Sequence, residues 1–417
     1  YQKNIMRILI IGNGGREAAF GKKLAEDSRV TQLYFAKGNA TTEKLGRNIS
    51  LTDNQELVNF AIDEAIDLTI VGPEAFLVSG IVDDFRKAGL RIFGPEKKVA
   101  KLEGSKAYSK KFMQEYGVKT AEANIFTSYV EARNFLEKQK FPLIIKASGL
   151  AQGKGVVLAN NKDEAMKTIH DFMIAKIYGD AGIEVVIEEY LRGFEASIIC
   201  FSNGKELYPC IAAKDYKKAG NGNKGSNTGG MGSVAPSPEF SEKHFEDFRT
   251  NILEPTVSGL KDQYLMFRGF IFFGLMVTDK GCHLLEYNMR SGDPETQVIL
   301  PLLENNLLDT INDCIDGNDI ELKFKDEKAV CLVMASGGYP GKYDTGFEIR
   351  NLDKTEDVTV YLSGASTKAG TVYTTGGRVV NLVATASTFG EAREKVYAAA
   401  NIIHFDYAFY REDIADF

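Results

Sequence analysis

The sequence is poor in residues that bind transition metals or build disulfide frameworks. Its four histidines show no metal-ligand spacing, so we expect no zinc site. The cysteines are scattered, without a CxxC pair, at Cys200, Cys210, Cys282, Cys314 and Cys331. Because their number is odd and we see no secretory signal, we expect reduced thiols in a cytoplasmic protein.

A basic charge excess and a long apolar run are also missing. The net charge of −7 argues against non-specific nucleic-acid binding, although local basic pockets for phosphates remain compatible with it. The longest apolar run, near residues 270–277, is far too short for a membrane span. The 417 residues exceed one ordinary core, so we expect several domains, in a monomer or weak dimer. We also expect the natural chain to begin at Met6, where the first strand starts.

The first motif is MRILIIGNGGREAAFGKKLAED, which predicts a buried strand, a glycine turn and a helix. Gly12, Gly14 and Gly15 depart from the dinucleotide fingerprint, because Glu17 replaces its third glycine. The next strand ends in a Lys-Gly pair instead of the acidic residue that would hold a ribose hydroxyl. What remains is a helix N-terminus with free N–H groups, which suits a phosphate ester; a tight turn without a ligand is the alternative.

A second strand–turn–helix–strand unit follows in IDLTIVGPEAFLVSGIVDDFRKAGLRIFGP. Parallel strands joined by helices place their loops at the carboxyl edge of the sheet, where ligands bind. The VGPE segment, residues 71–74, is such a loop. The first hundred residues therefore predict a small doubly wound domain.

Two segments place lysines where a nucleotide's phosphates would need them. LEGSKAYSKKFMQEYGV predicts a helix that begins near Ser105, with Lys106 in its first turn. FPLIIKASGLAQGKGVVLAN predicts a strand ending at Lys146, a glycine-rich loop and a second strand. Such a loop can fold over a triphosphate with its amides inward, although no Walker pattern is present; an ordinary hairpin is the alternative. The loop contains Gly149, Gly153, Lys154 and Gly155.

The segment EVVIEEYLRGFEAS predicts strands that leave a sheet at residues 188–191. Backbone groups exposed there suit the edge of a purine, and Glu195 suits a ribose hydroxyl. Solvated surface charges are the alternative for both.

Residues 219–238 are rich in glycine and asparagine. Such a composition is typical of a flexible linker. A loop whose amides close on a small anion is the functional alternative.

The segment HLLEYNMRSGDPETQ, residues 283–297, predicts a strand that breaks at its Gly-Asp-Pro. Alternation along the strand places two sets of side chains on opposite faces. One set is Leu284, Glu286, Asn288 and Arg290, and the other is Leu285, Tyr287 and Met289. A carboxylate, an amide oxygen and a guanidinium emerging together suit magnesium and a phosphate or carboxylate. An amphipathic strand with a wet polar face is the alternative, and the hairpin leading into it turns at residues 279–281.

These motifs together resemble one family. IIGNGGRE, LTIVGPE, LEGSKA, IKASGLAQGKGV, VIEEYLRGFEAS, NTGGMG, GLMVTDKG, LEYNMRSGDPETQ and MASGGYPG resemble the phosphoribosylamine–glycine ligases, a family of ATP-grasp enzymes. Several single motifs are shared with other ATP-grasp ligases, whereas GNGGRE, NTGGMG and GDPETQ in combination are more specific. The resemblance implies an α/β and α+β multidomain fold. Its parts would be a Rossmann-like domain at residues 1–103, an ATP-grasp core at 104–326 with a mobile lid at about 122–189, and a C-terminal α+β cap at 327–417.

The resemblance also implies a reaction in de novo purine biosynthesis. ATP, glycine and 5-phosphoribosylamine would give glycinamide ribonucleotide, ADP and phosphate through glycyl phosphate. The metal would be Mg²⁺ or Mn²⁺.

The family's functional residues carry over to matching positions of this chain. ATP would be held by Lys106, Lys146, Gly153, Lys154, Gly155, Glu188, Glu189, Leu191 and Glu195. The metal would be held by Glu286 and Asn288, and glycine by Arg290, Gly292 and Asp293. Phosphoribosylamine would be held by Gly14, Gly15, Glu17, Gly38, Asn39, Pro73 and Glu74. Asp215 and the loop of Asn227, Thr228, Gly229 and Gly230 would close over the substrates. The catalytic residues would be Arg290, Lys146 and Asp215.

The chain departs from the family's usual pattern at several positions. Ala18 and Tyr216 stand where histidine is usual, which bears on contacts to the amine substrate. Ser148 stands where aspartate is usual, near the nucleotide, and Met289 and Ser291 replace cysteine and phenylalanine.

Three other functions remain open on the sequence alone. Another ATP-grasp ligase with a different acceptor is disfavoured by GNGGRE and NTGGMG, and a nicotinamide dehydrogenase by the broken fingerprint. A nucleotide-binding regulatory protein without turnover is disfavoured by Glu286, Asn288 and Arg290.

Overall fold

The computed structural model describes residues 5–417, which form a multidomain α/β and α+β protein, as predicted. The expected start at Met6 concerns residues 1–4, which lie outside the described residues. Within residues 5–417, no helix combines the length and the apolar character that a membrane span requires.

The N-terminal region is a doubly wound parallel sheet. Its strands are β1 (Met6–Gly12), β2 (Val30–Lys37), β3 (Arg47–Ile49), β4 (Leu68–Val71) and β5 (Ile92–Phe93). Its helices are α1 (Gly15–Ala25), α2 (Thr42–Leu45), α3 (Asn54–Asp63), α4 (Glu74–Ser79) and α5 (Ile81–Lys87). Ile8 and Ile10 pack into one core cluster and Leu9 and Ile11 into another, so both faces of β1 are buried. The strand order β3-β2-β1-β4-β5 reverses direction between β1 and β4, which places a ligand crevice there.

Two helices connect this sheet to a small separate sheet. They are α6 (Lys97–Gly104) and α7 (Lys106–Tyr116). Helix α7 begins where the Ser105 hydroxyl accepts the N–H of Tyr108, and it ends at Gly117, whose φ of 67° suits glycine. The small sheet has the antiparallel order β6-β9-β7-β8 and packs two helices against an apolar core of its own. Its elements are β6 (Ala123–Phe126), α8 (Tyr129–Leu136), β7 (Leu143–Ala147), β8 (Val156–Ala159), α9 (Lys162–Met173) and β9 (Val185–Glu189).

The central region contains a second antiparallel sheet with the order β11-β10-β16-β17. Its first strands and the short strands after them are β10 (Phe194–Asn203), β11 (Leu207–Pro209), β12 (Lys214–Asp215), β13 (Lys218–Gly220), β14 (Lys224–Asn227) and β15 (Gly232–Ala235). Helices α10 (Glu242–Phe248) and α11 (Glu254–Asp262) follow, joined by a π-helical turn at Arg249–Leu253. The hairpin β16 (Arg268–Thr278) and β17 (Gly281–Asn288) turns where predicted, and α12 (Glu295–Ile299) and α13 (Leu307–Asp316) come after it.

The last sheet joins the C-terminal region to the central one. The elements of the C-terminal region are β18 (Lys328–Ala335), β19 (Thr359–Leu362), β20 (Ala365–Lys368), β21 (Thr371–Thr374), β22 (Arg378–Ala386) and α14 (Phe389–Ile402), of which β20 and β21 form a separate two-stranded sheet. The sheet order is β12-β15-β18-β22-β19, so β12 and β15 of the central region pair into it. Backbone hydrogen bonding therefore crosses the predicted boundary at residues 326/327, and that division stays a prediction.

Candidate active site

The end of β17 meets the loops after β1 and β4 at the crevice of the first sheet. Arg290 Nε donates to Glu74 Oε2 at 3.2 Å, and Arg16 Nη1 donates to the Ser291 carbonyl at 3.0 Å. Residues predicted for two different substrates, Arg290 and Glu74, are therefore in direct contact.

The predicted alternation along β17 is wrong at its middle. Leu275 pairs with Leu284 and Gly274 with Glu286, so Leu285 is an extra residue, a β-bulge. Because of the bulge, Leu284 packs in the same core cluster as Tyr287 and Met289 instead of sharing a face with Glu286. The bulge also leaves the Leu285 carbonyl to accept from Lys146 Nζ at 3.3 Å. The bulge therefore connects the middle of β17 to a predicted ATP residue.

Arg290 is held from three sides. Besides Glu74, its Nη2 lies 3.1 Å from Glu103 Oε1 and donates to Asn288 Oδ1 at 3.4 Å. Burial alone would lower the pKa of Arg290, but Glu103 and Glu74 outweigh it and keep the guanidinium charged. Glu103 was not among the predicted site residues, although it lies within the LEGSKA motif.

Glu286 and Asn288 form a pair of oxygen donors beside Arg290. Asn288 Nδ2 lies 3.5 Å from Glu286 Oε1. Burial raises the pKa of Glu286, but Lys217, Lys106 and Lys146 outweigh burial and hold that pKa below its usual value. Glu286 is thus an ionised carboxylate surrounded by cations, as a phosphate-binding metal ligand should be.

The predicted ATP residues Lys146 and Glu188 form a buried ion pair at 3.0 Å. Lys110, which the sequence reading did not single out, lies 3.1 Å from the other Glu188 oxygen. Glu188 therefore fixes two lysines, while its backbone lies inside the small sheet, where β9 pairs with β6 on one side and β7 on the other. Lys106 Nζ lies 3.4 Å from the Gly149 carbonyl, at the base of the glycine-rich loop.

The other predicted ATP residues lie apart from this ion pair. Glu189 accepts the N–H of Glu122, and Glu195 lies 3.4 Å from Lys217 Nζ. Gly153 and Lys154 are exposed in the loop between β7 and β8. The structure describes no contact between Leu191 and this cluster, so its role stays a prediction.

The predicted free N–H groups at the start of α1 are wrong in part, because side chains of the chain itself occupy them. Gly14 N–H donates to Glu17 Oε2 at 3.0 Å, and Arg16 N–H donates to Asp293 Oδ2 at 3.2 Å. The Glu17 side chain is fully buried, and an added Cβ at Gly12 would overlap its carboxylate. Glu17 therefore shapes this loop from inside, and Asp293 joins the loop to the segment after β17.

The loop after β2 is held against the loop after β1 by hydrogen bonds from Asn39. Its Nδ2 donates to the carbonyls of Asn13 at 3.0 Å and Gly14 at 3.2 Å, while Gly38 N–H donates to the Gly12 carbonyl. Gly38 has a φ of 74°, which favours glycine. Pro73 precedes α4 in an extended conformation, and Glu74 starts that helix. Gly14, Asn39 and Glu74 thus border one crevice, and the buried Glu17 carboxylate packs against Gly12 and Gly72 in the loops beside it.

The glycine- and asparagine-rich segment is neither a linker nor a free loop. It forms the hairpin of β13 and β14, and the C-terminal region holds both of its ends. At the tip, Arg411 Nη2 donates to Asn223 Oδ1 at 3.1 Å and Gly222 N–H donates to Asp413 Oδ2 at 2.9 Å. At the base, Arg378 Nη1 donates to the Gly229 carbonyl at 2.9 Å.

Arg378 also connects this base to Asp293. Its Nη1 donates to the Asp293 carbonyl at 3.0 Å and lies 3.4 Å from Asp293 Oδ1. Burial raises the pKa of Asp293, but Arg378 and Arg16 outweigh it and keep the carboxyl ionised. The sequence predicted no catalytic residue in the C-terminal region, and Arg378 connects that region to the predicted substrate residues Gly229 and Asp293.

Replacing Tyr339 with phenylalanine is expected to loosen the hairpin base. Gly229 N–H donates to the Tyr339 hydroxyl at 2.9 Å, and the loss of one such bond is worth about 1 kcal/mol. Hydrogen–deuterium exchange of residues 227–231 should therefore accelerate about fivefold. The control is Tyr343→Phe, which removes a neighbouring hydroxyl that does not bond this loop. Unchanged exchange would mean that other contacts hold the loop.

The partly exposed Asp215 and Lys217 interact electrostatically with the buried Glu295, which lies behind Gly292. An added Cβ at Gly292 would overlap the Glu295 carboxylate, so these two residues pack directly together. Burial raises the pKa of Glu295, and the Asp215 carboxylate raises it further. Burial likewise raises the pKa of Asp215, whereas Lys217 opposes it. These three side chains together are thus short of positive charge.

Glu295→Gln is expected to stabilise the protein at alkaline pH. The pKa of Glu295 is higher in the folded protein than in the unfolded chain, so the folded state holds this proton to a higher pH. The free energy of unfolding of the wild type therefore falls as the pH rises above the pKa that Glu295 has in the unfolded chain. The amide removes this loss. Its melting temperature relative to wild type should rise by about 2 °C or more between pH 5 and pH 8. The exposed control Glu394→Gln should show no such trend. If the melting temperatures of wild type and Glu295→Gln changed in parallel with pH, the raised pKa of Glu295 would be contradicted.

The departures from the family pattern have local structural partners. Ala18 is buried in the core, and Ser148 Oγ accepts the N–H of Ala107 at 3.1 Å. The Tyr216 hydroxyl accepts the N–H of Ala415 at 3.1 Å, and its ring lies under Arg411. Tyr216 therefore anchors the C-terminal segment.

Comparisons with known proteins cover all three regions. Models of the phosphoribosylglycinamide synthetase N domain, ATP-grasp (A) domain and C domain match residues 6–103, 104–296 and 329–417.

Individual relatives match along nearly the whole chain. The phosphoribosylamine–glycine ligase of Clostridium acetobutylicum is 46% identical over 413 residues, which are 98% of this chain and 99% of that protein. The trifunctional purine biosynthetic protein adenosine-3 of Gallus gallus is 40% identical over 418 residues, which are 98% of this chain and 42% of that protein. The crystal structure of phosphoribosylamine–glycine ligase from Thermotoga maritima has a TM-score of 0.84 at 34% identity, covering 98% of this chain and 100% of that one.

Proposed function

The chain belongs to the phosphoribosylglycinamide synthetase family, and from that membership we propose that it ligates glycine to 5-phosphoribosylamine in purine biosynthesis. ATP drives the ligation, and the products are glycinamide ribonucleotide, ADP and phosphate. The observation that carries this proposal is the match to a phosphoribosylamine–glycine ligase at 46% identity over 98% of the chain.

The chemistry begins with an unreactive carboxylate. Glycine's carboxylate does not acylate an amine at neutral pH, because oxide is a poor leaving group. We propose that this carboxylate attacks the γ-phosphorus of ATP to form glycyl phosphate and ADP. The amine nitrogen of phosphoribosylamine then attacks the acyl carbon, the C–O bond to phosphate breaks, and phosphate leaves with the electron pair.

The protein's contribution is alignment and neutralisation of charge. Lys146 lies near the C-terminal end of β7, and Lys106 lies at the start of α7. Both lysines interact electrostatically with Glu286. Arg290 lies on the same strand end as Glu286. We propose that these three cations receive the phosphate oxygens and the glycine carboxylate, where they stabilise charge that develops during phosphoryl transfer.

We propose that Mg²⁺ or Mn²⁺ binds at Glu286 and Asn288. The donor set fits, because an ionised carboxylate and an amide oxygen are hard ligands, and Mg²⁺ takes few protein ligands beside phosphate oxygens. When bound, the ion would neutralise charge on the transferred phosphoryl group.

Glycyl phosphate hydrolyses readily, so water has to be kept from it. The exposed loop between β7 and β8 is the segment we propose to move over the nucleotide. The hairpin of β13 and β14 is held at both ends, so we propose that it forms a fixed wall. Gly14, Gly15, Gly38, Asn39 and Pro73 would line the amine side.

We also propose that the protein is cytoplasmic. The buried, unpaired cysteines agree with a reducing cytoplasm. We also propose that the protein is a monomer or weak dimer.

The test is ADP release with magnesium and glycine, with and without phosphoribosylamine formed in situ. Release that needs both substrates, with an equal amount of glycinamide ribonucleotide, supports the proposal. Release without the amine would indicate a different acceptor or hydrolysis of glycyl phosphate. No release under any combination would contradict the proposal.

A further inference from the structure

Glu103 is a buried carboxylate that uses both of its oxygens. Its side chain is 6% exposed, near the C-terminal end of α6. Oε1 lies 3.1 Å from Arg290 Nη2, and Oε2 accepts the backbone N–H of Met289 at 2.7 Å. One side chain thus fixes both the guanidinium and the backbone of the segment that carries it.

Glu74, the second carboxylate on Arg290, has a different character. Its side chain is 31% exposed, five times the exposure of Glu103, and it comes from the N-terminal sheet. A solvated carboxylate can exchange its partner for a substrate at small cost, whereas a buried, doubly bonded one cannot. Glu103 is therefore the permanent support of Arg290.

The segment that follows Glu103 reaches the phosphate side of the site. Lys106 N–H donates to the Ser148 carbonyl at 2.7 Å, and Lys106 Nζ lies 3.4 Å from the Gly149 carbonyl. Ser105 caps α7 between them. The junction of α6 and α7 therefore contacts the reacting end of β17 through Glu103 and the base of the glycine-rich loop through Lys106.

We propose that Glu103 is a positioning residue that sets the Arg290 guanidinium and the Met289 backbone relative to Lys106. It does not touch the substrates. The proposal rests on the proposed function, in which Arg290 and Lys106 act on the same phosphoryl group. Misplacing one of them by a fraction of an ångström would slow phosphoryl transfer while leaving nucleotide affinity intact.

The first measurement is steady-state kinetics of Glu103→Gln. The amide can still accept from Met289 N–H, but it removes the charge that faces Arg290. We expect kcat to fall about tenfold and the KM for ATP to change less than about twofold. The control Glu115→Gln, on the exposed face of α7, should match wild type. Unchanged kcat, or a loss confined to the KM for ATP, would overturn the proposal.

The second measurement is a double-mutant cycle with Arg290→Lys. If Glu103 acts through Arg290, adding Glu103→Gln to Arg290→Lys should lower kcat by less than about twofold. A full tenfold loss in both backgrounds would show that Glu103 acts independently of Arg290. Should Glu103→Gln fail to fold, Glu103→Asp replaces it, because its shorter side chain cannot reach both partners, and the same non-additivity is expected.

Wild type, the two single variants and the double variant also distinguish a failure of this proposal from a failure of the proposed function. If wild type forms no glycinamide ribonucleotide, the proposed function fails. The coupling of Glu103 and Arg290 is then measured as non-additive shifts in melting temperature, for which no substrate is needed. Additive shifts would overturn the proposed support of Arg290.

Discussion

Replacing Arg290 with alanine is expected to lower turnover by about a hundredfold or more, the scale of losing one oxyanion-type donor. Its guanidinium stands at the end of β17 beside Asn288, and Glu103 and Glu74 fix its orientation. Alanine removes the charge from the position where the glycine carboxylate and the transferred phosphoryl group would meet. The loss should therefore appear in kcat as well as in kcat/KM for glycine.

The alanine variant should also be less stable, and the two effects can be separated. Glu103 and Glu74 would lose their shared partner, and an unpaired buried carboxylate is costly. Arg290→Lys keeps the charge without the planar fork, so it should melt nearer to wild type but remain slow. Arg133→Ala, on the exposed face of α8, is the control. A loss of turnover below about threefold in Arg290→Ala would exclude Arg290 from the mechanism.

Glu286→Gln is expected to raise the magnesium concentration for half-maximal rate by about tenfold or more. The amide is a weaker ligand, and it removes a negative charge that interacts with Lys217, Lys106 and Lys146. With that charge gone, the three lysines would repel a divalent ion more strongly. The measurement is a magnesium titration at fixed ATP, repeated with manganese.

The matched control for this titration is Glu242→Gln, on the exposed surface of α10. It changes the net charge equally at a distance from the site. If both variants shift the titration alike, the effect reflects overall charge. An unchanged titration in Glu286→Gln would remove Glu286 as a metal ligand.

Local patterns in the sequence predicted those structural features that depend only on residues within one helix, strand or turn. The apolar run of β1, the cap at Ser105 and the turn before β17 all follow from residues adjacent to them. The bulge at Leu285 does not, because two adjacent leucines satisfy either face of an alternating strand. Only pairing with β16 decides which leucine is buried.

Contacts between distant residues explain most of what the sequence reading missed. Glu103 meets Arg290, and Arg378 meets Gly229, across separations that no periodic pattern encodes. The composition of residues 219–238 favoured a linker because glycine and asparagine carry no signal of their anchors. Those anchors, Tyr339 and Arg411, lie over a hundred positions away.

The five-stranded sheet that contains β12, β15 and β18 limits how the chain can be divided. If residues 5–326 and 327–417 were produced as two polypeptides, β15 and β18 would each expose an unpaired edge. Such edges favour aggregation when apart and reassociation when mixed. The two fragments should therefore behave as complementary halves of one unit, and co-expression should rescue solubility that neither half has alone.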